Sequence, residues 1–171
     1  MFNKLFRVLT LSAVLAIVAT ASVSAAPKAK ARHVKGAFNG TLTYSPTNVA
    51  AGVYTVTVES VGTLSHLGRT KAVWQGTVSL DAAFNVTPLT GLGWTLTNQA
   101  GTLQGTIVWQ ATNSTQALTY SVTGAFQTTG GTGKLRGATG QGTLTGTINA
   151  LTGKANLHLD ALVNGLRTKK P

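Results

Sequence analysis

Cysteine is absent from the 171 residues, which excludes disulfides, thiolate metal sites and a lipid-modified cysteine. Carboxylates are nearly as scarce: 3 Asp plus Glu stand against 14 Lys plus Arg, while charged residues make up only 10% of the chain. The net charge of +11 therefore reflects missing acids more than abundant bases. Thr, Gly, Gln and Asn supply most of the polar surface. Glu59, Asp81 and Asp160 are the only side-chain carboxylates, and His33, His66 and His158 the only imidazoles. Paired-carboxylate catalysis would need two of those three acids to meet from distant strands. His158 and Asp160, spaced i, i+2 on a strand, offer two ligands, which do not make a metal site. Ser65 and Ser121 lie in no nucleophile elbow. No catalytic constellation and no cofactor are expected from this inventory.

Long apolar runs are also missing, with one exception at the start. Lys4 and Arg7 precede an uncharged, mostly apolar run from Val8 to Ala21, and Val23-Ser24-Ala25 offers the small residues a signal peptidase accepts. The run falls short of the ~20 residues a spanning helix needs. The expected division is a signal peptide over 1–25, a basic disordered tether over 26–36, a β domain over 37–164 and a basic tail over 165–171. The expected location is secreted or periplasmic, with no transmembrane helix in the mature chain.

From Ala37 onward, period-two stretches rich in Thr, Val, Leu and aromatics alternate with Gly, Asn and Pro punctuation. Eight strands are expected near 37–44, 53–62, 71–80, 92–99, 102–111, 117–128, 141–150 and 154–163. Each has two unlike faces. In one, Trp74, Val78 and Leu80 oppose Gln75, Thr77 and Ser79; in another, Leu103, Ile107 and Trp109 oppose Thr102, Thr106 and Gln110. An apolar face of this extent must be buried, and closure also removes exposed edges. The fold class that follows is all-β: a single antiparallel, roughly eight-stranded closed barrel, with a β-sandwich as the alternative. Gly40, Gly76, Gly105, Gly124, Gly142 and Gly146 fall on the apolar face, where they favour tight curvature and large neighbours filling the interior. Alternation alone does not say which face is inside, so an outer-membrane barrel stays open as a minor alternative.

Residues 130–146, GGTGKLRGATGQGTLTG, lack the spacing of a phosphate loop and read as a connection whose glycines permit positive φ. This segment resembles the Gly-Gly-Thr-Gly-(Lys/Arg)-aromatic-x-Gly-Ala-Thr-Gly stretch of bacterial secreted proteins with an allene oxide cyclase-like barrel, a fold shared with plant dirigent proteins. Ser65-His66-Leu67-Gly68-Arg69 resembles the Ser/Thr-His-Leu-Gly segment of the same group. The chain departs at Leu135, where an aromatic is usual, and at Asn98-Gln99-Ala100-Gly101, where Asn-Gly-Asp is common. Because those bacterial proteins mostly lack an assigned activity, the resemblance implies a fold and leaves function open.

Several readings of function stay open. A non-catalytic barrel would bind a small apolar ligand among Tyr54, Trp74, Trp94, Trp109 and Tyr120, or serve as an envelope component with its lumen filled. A cyclase- or dirigent-type enzyme would need a polar group in that lumen, with His66 beside Arg69 at the barrel mouth as the candidate for acid/base or anion contact. Basic ends would attach the protein to an anionic envelope polymer. Nucleic acid is not an expected partner, since no basic face is studded with aromatics. Oligomeric state has no signature.

Overall fold

A computed structural model describes residues 30–89, 92–114, 116 and 118–166. The expected leader, residues 26–29 of the tether and residues 167–171 of the tail lie outside the described residues. The strands are β1 (Arg32–Asn48), β2 (Val53–Leu64), β3 (Gly68–Leu80), β4 (Val86–Pro88), β5 (Leu92–Asn98), β6 (Gly101–Asn113), β7 (Thr119–Gly131), β8 (Thr139–Asn149) and β9 (Lys154–Asn164). Short 3-10 turns occupy Val49–Ala51 and Gly133–Leu135.

All strand pairings are antiparallel, in the order β2-β1-β9-β8-β7-β6-β5-β3-β4, and an additional β2–β3 ladder closes the ring. Eight strands therefore form a closed up-and-down barrel, while β4 lies outside it against the end of β3. Each barrel strand pairs with its sequence neighbours, β4 apart, so short turns suffice as connections. All eight expected strands are present. The sandwich alternative is set aside by the closing ladder.

Two features differ from the sequence reading. β4 carried no signal, being a three-residue segment that ends in proline and pairs on one side only. β1 begins at Arg32 instead of 37, so the basic stretch over 32–36 is strand and not tether. Val34, the one apolar side chain there, is buried inward, and the outward His33 and Lys35 both pair with Asp160 on β9, Lys35 Nζ at 3.0 Å. One apolar side chain among three charged or polar residues and a glycine was too little to show a period.

The apolar face is the inner one. Along β9, Ala155, Leu157, Leu159, Ala161 and Val163 are buried, while Lys154, Asn156, His158 and Asp160 face out. This is the reverse of the outward apolar band that an outer-membrane barrel requires. No described helix is long and apolar enough to cross a membrane. Glycines at the expected inner positions let large side chains cross the lumen: Trp94 stands opposite Gly105 and Ile107 packs toward Gly124. Trp74, Trp94 and Phe126 thereby form an aromatic plug across the middle, with ring centroids 6.2 Å apart for the indole pair and 5.2 Å for Trp94–Phe126.

Candidate functional site

The antiparallel register gives the barrel two unlike ends. One collects the start of β1, the β2–β3 and β5–β6 turns and the β7–β8 connection. It is sealed: Leu64, Leu103, Leu135, Ala138 and Leu166 are all buried there. Both motifs behind the family resemblance belong to this seal. The 130–140 segment turns through Gly133 (φ 59°) and Gly137 (φ 75°), and it drops Leu135, 4% exposed, into the seal. The Ser65–Arg69 turn is joined to the β5–β6 turn by Asn98 Nδ2 donating to the Leu67 carbonyl at 2.9 Å. The 130–140 segment is joined to the same turn by Lys134 N–H donating to the Ala100 carbonyl at 2.7 Å.

The other end is open. Above the plug a cavity of about 330 Å³ runs to the surface between the β1–β2, β3–β5, β6–β7 and β8–β9 connections. Its floor and lower wall include Trp74, Ile107, Trp109, Val122, Leu144 and Leu157, all buried. Leu42, Tyr54, Val56, Ala111 and Ile148 form the upper wall, and Tyr44, Phe84 and Leu151 stand exposed around the opening. Among the described residues, no charged side chain lines the cavity.

One connection is built with particular care. After β3, Asp81 Oδ1 accepts from the backbone N–H groups of Ala83 (2.9 Å) and Asn85 (2.8 Å), and Oδ2 accepts from Asn85 Nδ2 at 2.7 Å. Asn113 Nδ2 donates to Asn85 Oδ1 at 2.9 Å, fastening the turn to β6. Phe84 is thus held at φ 60°, a conformation costly for a bulky residue, with its ring at the opening. The Tyr120 hydroxyl donates to the Phe84 carbonyl at 2.9 Å. Burial, and secondarily the Asp81 carboxylate, push the Tyr120 phenol above its ordinary value of 10, so it keeps the proton it donates. The hydrogen bonds from Asn85, side chain and then backbone, hold the Asp81 carboxyl below its usual range. Leu118, across the opening, is also left-handed at φ 53°. Among the described residues, two of the three non-glycine residues with positive φ therefore lie at the cavity, where stored strain points to use.

Of the residues singled out from the sequence, Tyr54, Trp74, Trp109 and Tyr120 line one cavity. Trp94 does not. It is 3% exposed in the plug, with Nε1 donating to the Thr106 carbonyl at 3.2 Å. His66 and Arg69 are exposed at the sealed end, with the whole plug between them and the cavity, so the expectation that they stand at the mouth is corrected. The reason is register: the β2–β3 turn falls at the end that the glycine-rich segment closes. His66 sits at φ 66°, serving as a turn residue.

Phe84 was missed because it lies in an irregular connection without period, and Leu118 because it falls within the strand expected from 117, whereas β7 begins at Thr119. The only signal available was turn chemistry, Asp81 placed four residues before Asn85. The acids and histidines of the strands stay outside: Glu59 pairs with Lys71 at 2.9 Å, and Asp160 with His33 and Lys35. Those partners, His33 first and then Lys35, hold the Asp160 carboxyl below its ordinary range.

Compared with protein-family models, with curated proteins and with solved structures, the chain finds no match in any of the three.

Proposed function

We propose that this chain is an exported, non-catalytic β-barrel protein that holds a small apolar ligand in the open half of its lumen. The observation that carries this reading is the cavity itself. Eight strands enclose a lumen that side chains can fill completely, and the sealed half is filled. The open half instead keeps an apolar cavity of about 330 Å³ that reaches the surface, the concave and mostly apolar form that small-molecule sites take. At roughly 30 Å³ per water-sized group, the occupant has on the order of ten non-hydrogen atoms.

Export rests on the positive start, uncharged run and Val23-Ser24-Ala25 cleavage pattern. The motifs at 65–69 and 130–140 favour the allene oxide cyclase-like barrel group, but they build the sealed end and carry no information about the cavity. A cyclase-type activity finds no support in the wall, which offers no carboxylate or imidazole. The test is uptake of an apolar probe by the purified barrel, compared with a variant whose cavity is filled, Ala111→Phe. Uptake by both, or by neither, removes the reading.

A second reading, attachment to an anionic envelope polymer, is favoured by one observation. Lys30, Arg32, Lys35, Arg69, Lys134 and Arg136 all belong to the sealed end, whereas Lys154, at the start of β9, is the only described Lys or Arg at the open one. The two readings are compatible, since they use opposite poles.

A further inference from the structure

The interior holds three tryptophans whose indole N–H groups differ in one respect. Trp74 Nε1 donates to Ser60 Oγ at 3.4 Å, and Trp94 Nε1 donates to the Thr106 carbonyl at 3.2 Å. Trp109 Nε1 is sealed from solvent and has no partner. An indole nitrogen can only donate, so nothing else relieves it, and an unmade buried hydrogen bond is a standing cost that phenylalanine in the same wall would avoid. Among the described residues, the other buried side-chain polar atom without a partner is Thr128 Oγ1, which is not on the cavity wall. The Tyr120 hydroxyl is already committed to the Phe84 carbonyl. Trp109, a residue of the cavity wall, therefore carries an uncommitted but covered indole N–H, and no charged side chain among the described residues lines the cavity.

We infer that the ligand is an uncharged molecule whose apolar body fills the lumen and whose single acceptor oxygen, a carbonyl or ether, receives the Trp109 indole N–H. The inference rests on the lumen-binding reading and narrows its ligand class. A carboxylate or ammonium is disfavoured because the wall supplies no counter-charge to offset its desolvation. In the empty barrel Nε1 is covered by its neighbours, so pairing requires the ring to tilt into the cavity. Ala111, at the next inward position of β6, leaves room for that movement.

The test uses three probes of matched size, methyl heptyl ketone, decane and octanoate, on wild type and on Trp109→Phe. The indole N–H resonances are followed by nuclear magnetic resonance, with Trp109→Phe assigning the signal. The ketone should move the Trp109 resonance downfield, whereas decane should bind without that shift. Trp109→Phe should weaken the ketone about tenfold and decane less than about twofold, the difference being one hydrogen bond. Octanoate should bind at least about tenfold more weakly than the ketone. A bound ketone that leaves the Trp109 signal in place, or equal weakening of ketone and decane in the variant, overturns the inference while leaving lumen binding intact. Binding of none of the three overturns the lumen reading, and the inference with it.

Discussion

Trp94 stands directly across the β5–β6 ladder from Gly105, and its six-membered ring occupies the place a side chain on that glycine would take, 2.7 Å from where a Cβ would lie. The register of β6 against β7 slips at this same point, between Gln104 and Gly105. Curvature and plug are thus one device: the missing side chain admits the indole, and the bulge bends the strand around it. Gly105→Ala should destabilise the fold by at least about 1–3 kcal/mol, because the added Cβ would meet the Gln127 backbone carbonyl oxygen as well as the indole. Urea denaturation would show this as a lower midpoint with an unchanged slope.

Filling the cavity should act in the opposite sense on stability. Ala111→Phe places a ring in space that the native chain leaves open. The expected outcome is an unchanged or higher thermal midpoint together with loss of probe uptake, checked by calorimetry and by titration with methyl heptyl ketone. Loss of both fold and uptake would mean that the wall cannot accept the ring.

Phe84 is held in a left-handed backbone conformation that asparagine adopts at lower cost. Phe84→Asn should therefore leave stability within about 1 kcal/mol of wild type or raise it, while removing apolar wall from the opening. Weaker ketone binding at equal or greater stability is the signature of strain kept for use. Equal binding would show that the opening contributes nothing.

The acid side of the stability profile follows from two carboxylates. Asp81 and Asp160 both have folded-state values depressed below the ordinary 3.8, Asp81 by hydrogen bonds from Asn85 and Asp160 by His33 and Lys35. A depressed acid contributes stability that is full above its unfolded value and is lost as pH falls through the folded one. Stability should accordingly decline below pH 3.8. Asp81→Asn should flatten part of that decline. Because Asp81 orders the turn carrying Phe84, acid should also loosen the opening, and ketone affinity should fall over the same range. A pH titration of the thermal midpoint for wild type and variant checks both.

The basic pole makes a separate prediction. Replacing Arg69, Lys134 and Arg136 with glutamine should reduce salt-sensitive retention on an anionic polysaccharide column without changing ketone uptake. Coupled loss of both would contradict the division of the barrel into two independent ends.

How much of this was legible in the sequence depends on periodicity. Strands such as Leu103–Trp109 announced themselves because inward and outward residues differ in kind, and the inward glycines foretold a tight barrel. Val34 was lost because a single apolar residue makes no pattern. The cavity was half legible. Tyr54, Trp74, Trp109 and Tyr120 were found as inward aromatics, but nothing in alternation says that Trp94 would be spent as a plug. His66 and Arg69 were assigned to the mouth since either end of a barrel qualifies until the register decides which one is sealed. Phe84 acquires its position from a turn, and Leu118, expected as the second residue of a strand, lies in the turn before β7; the placement of both depends on the closed sheet and not on local sequence alone.

The central claim, that the open half of the lumen exists to hold a small apolar molecule, is tested most directly by native mass spectrometry of the purified barrel and of Ala111→Phe after exposure to methyl heptyl ketone. The account predicts a one-to-one adduct on wild type and a bare chain for the variant. Bare spectra for both, or adducts on both, would contradict it.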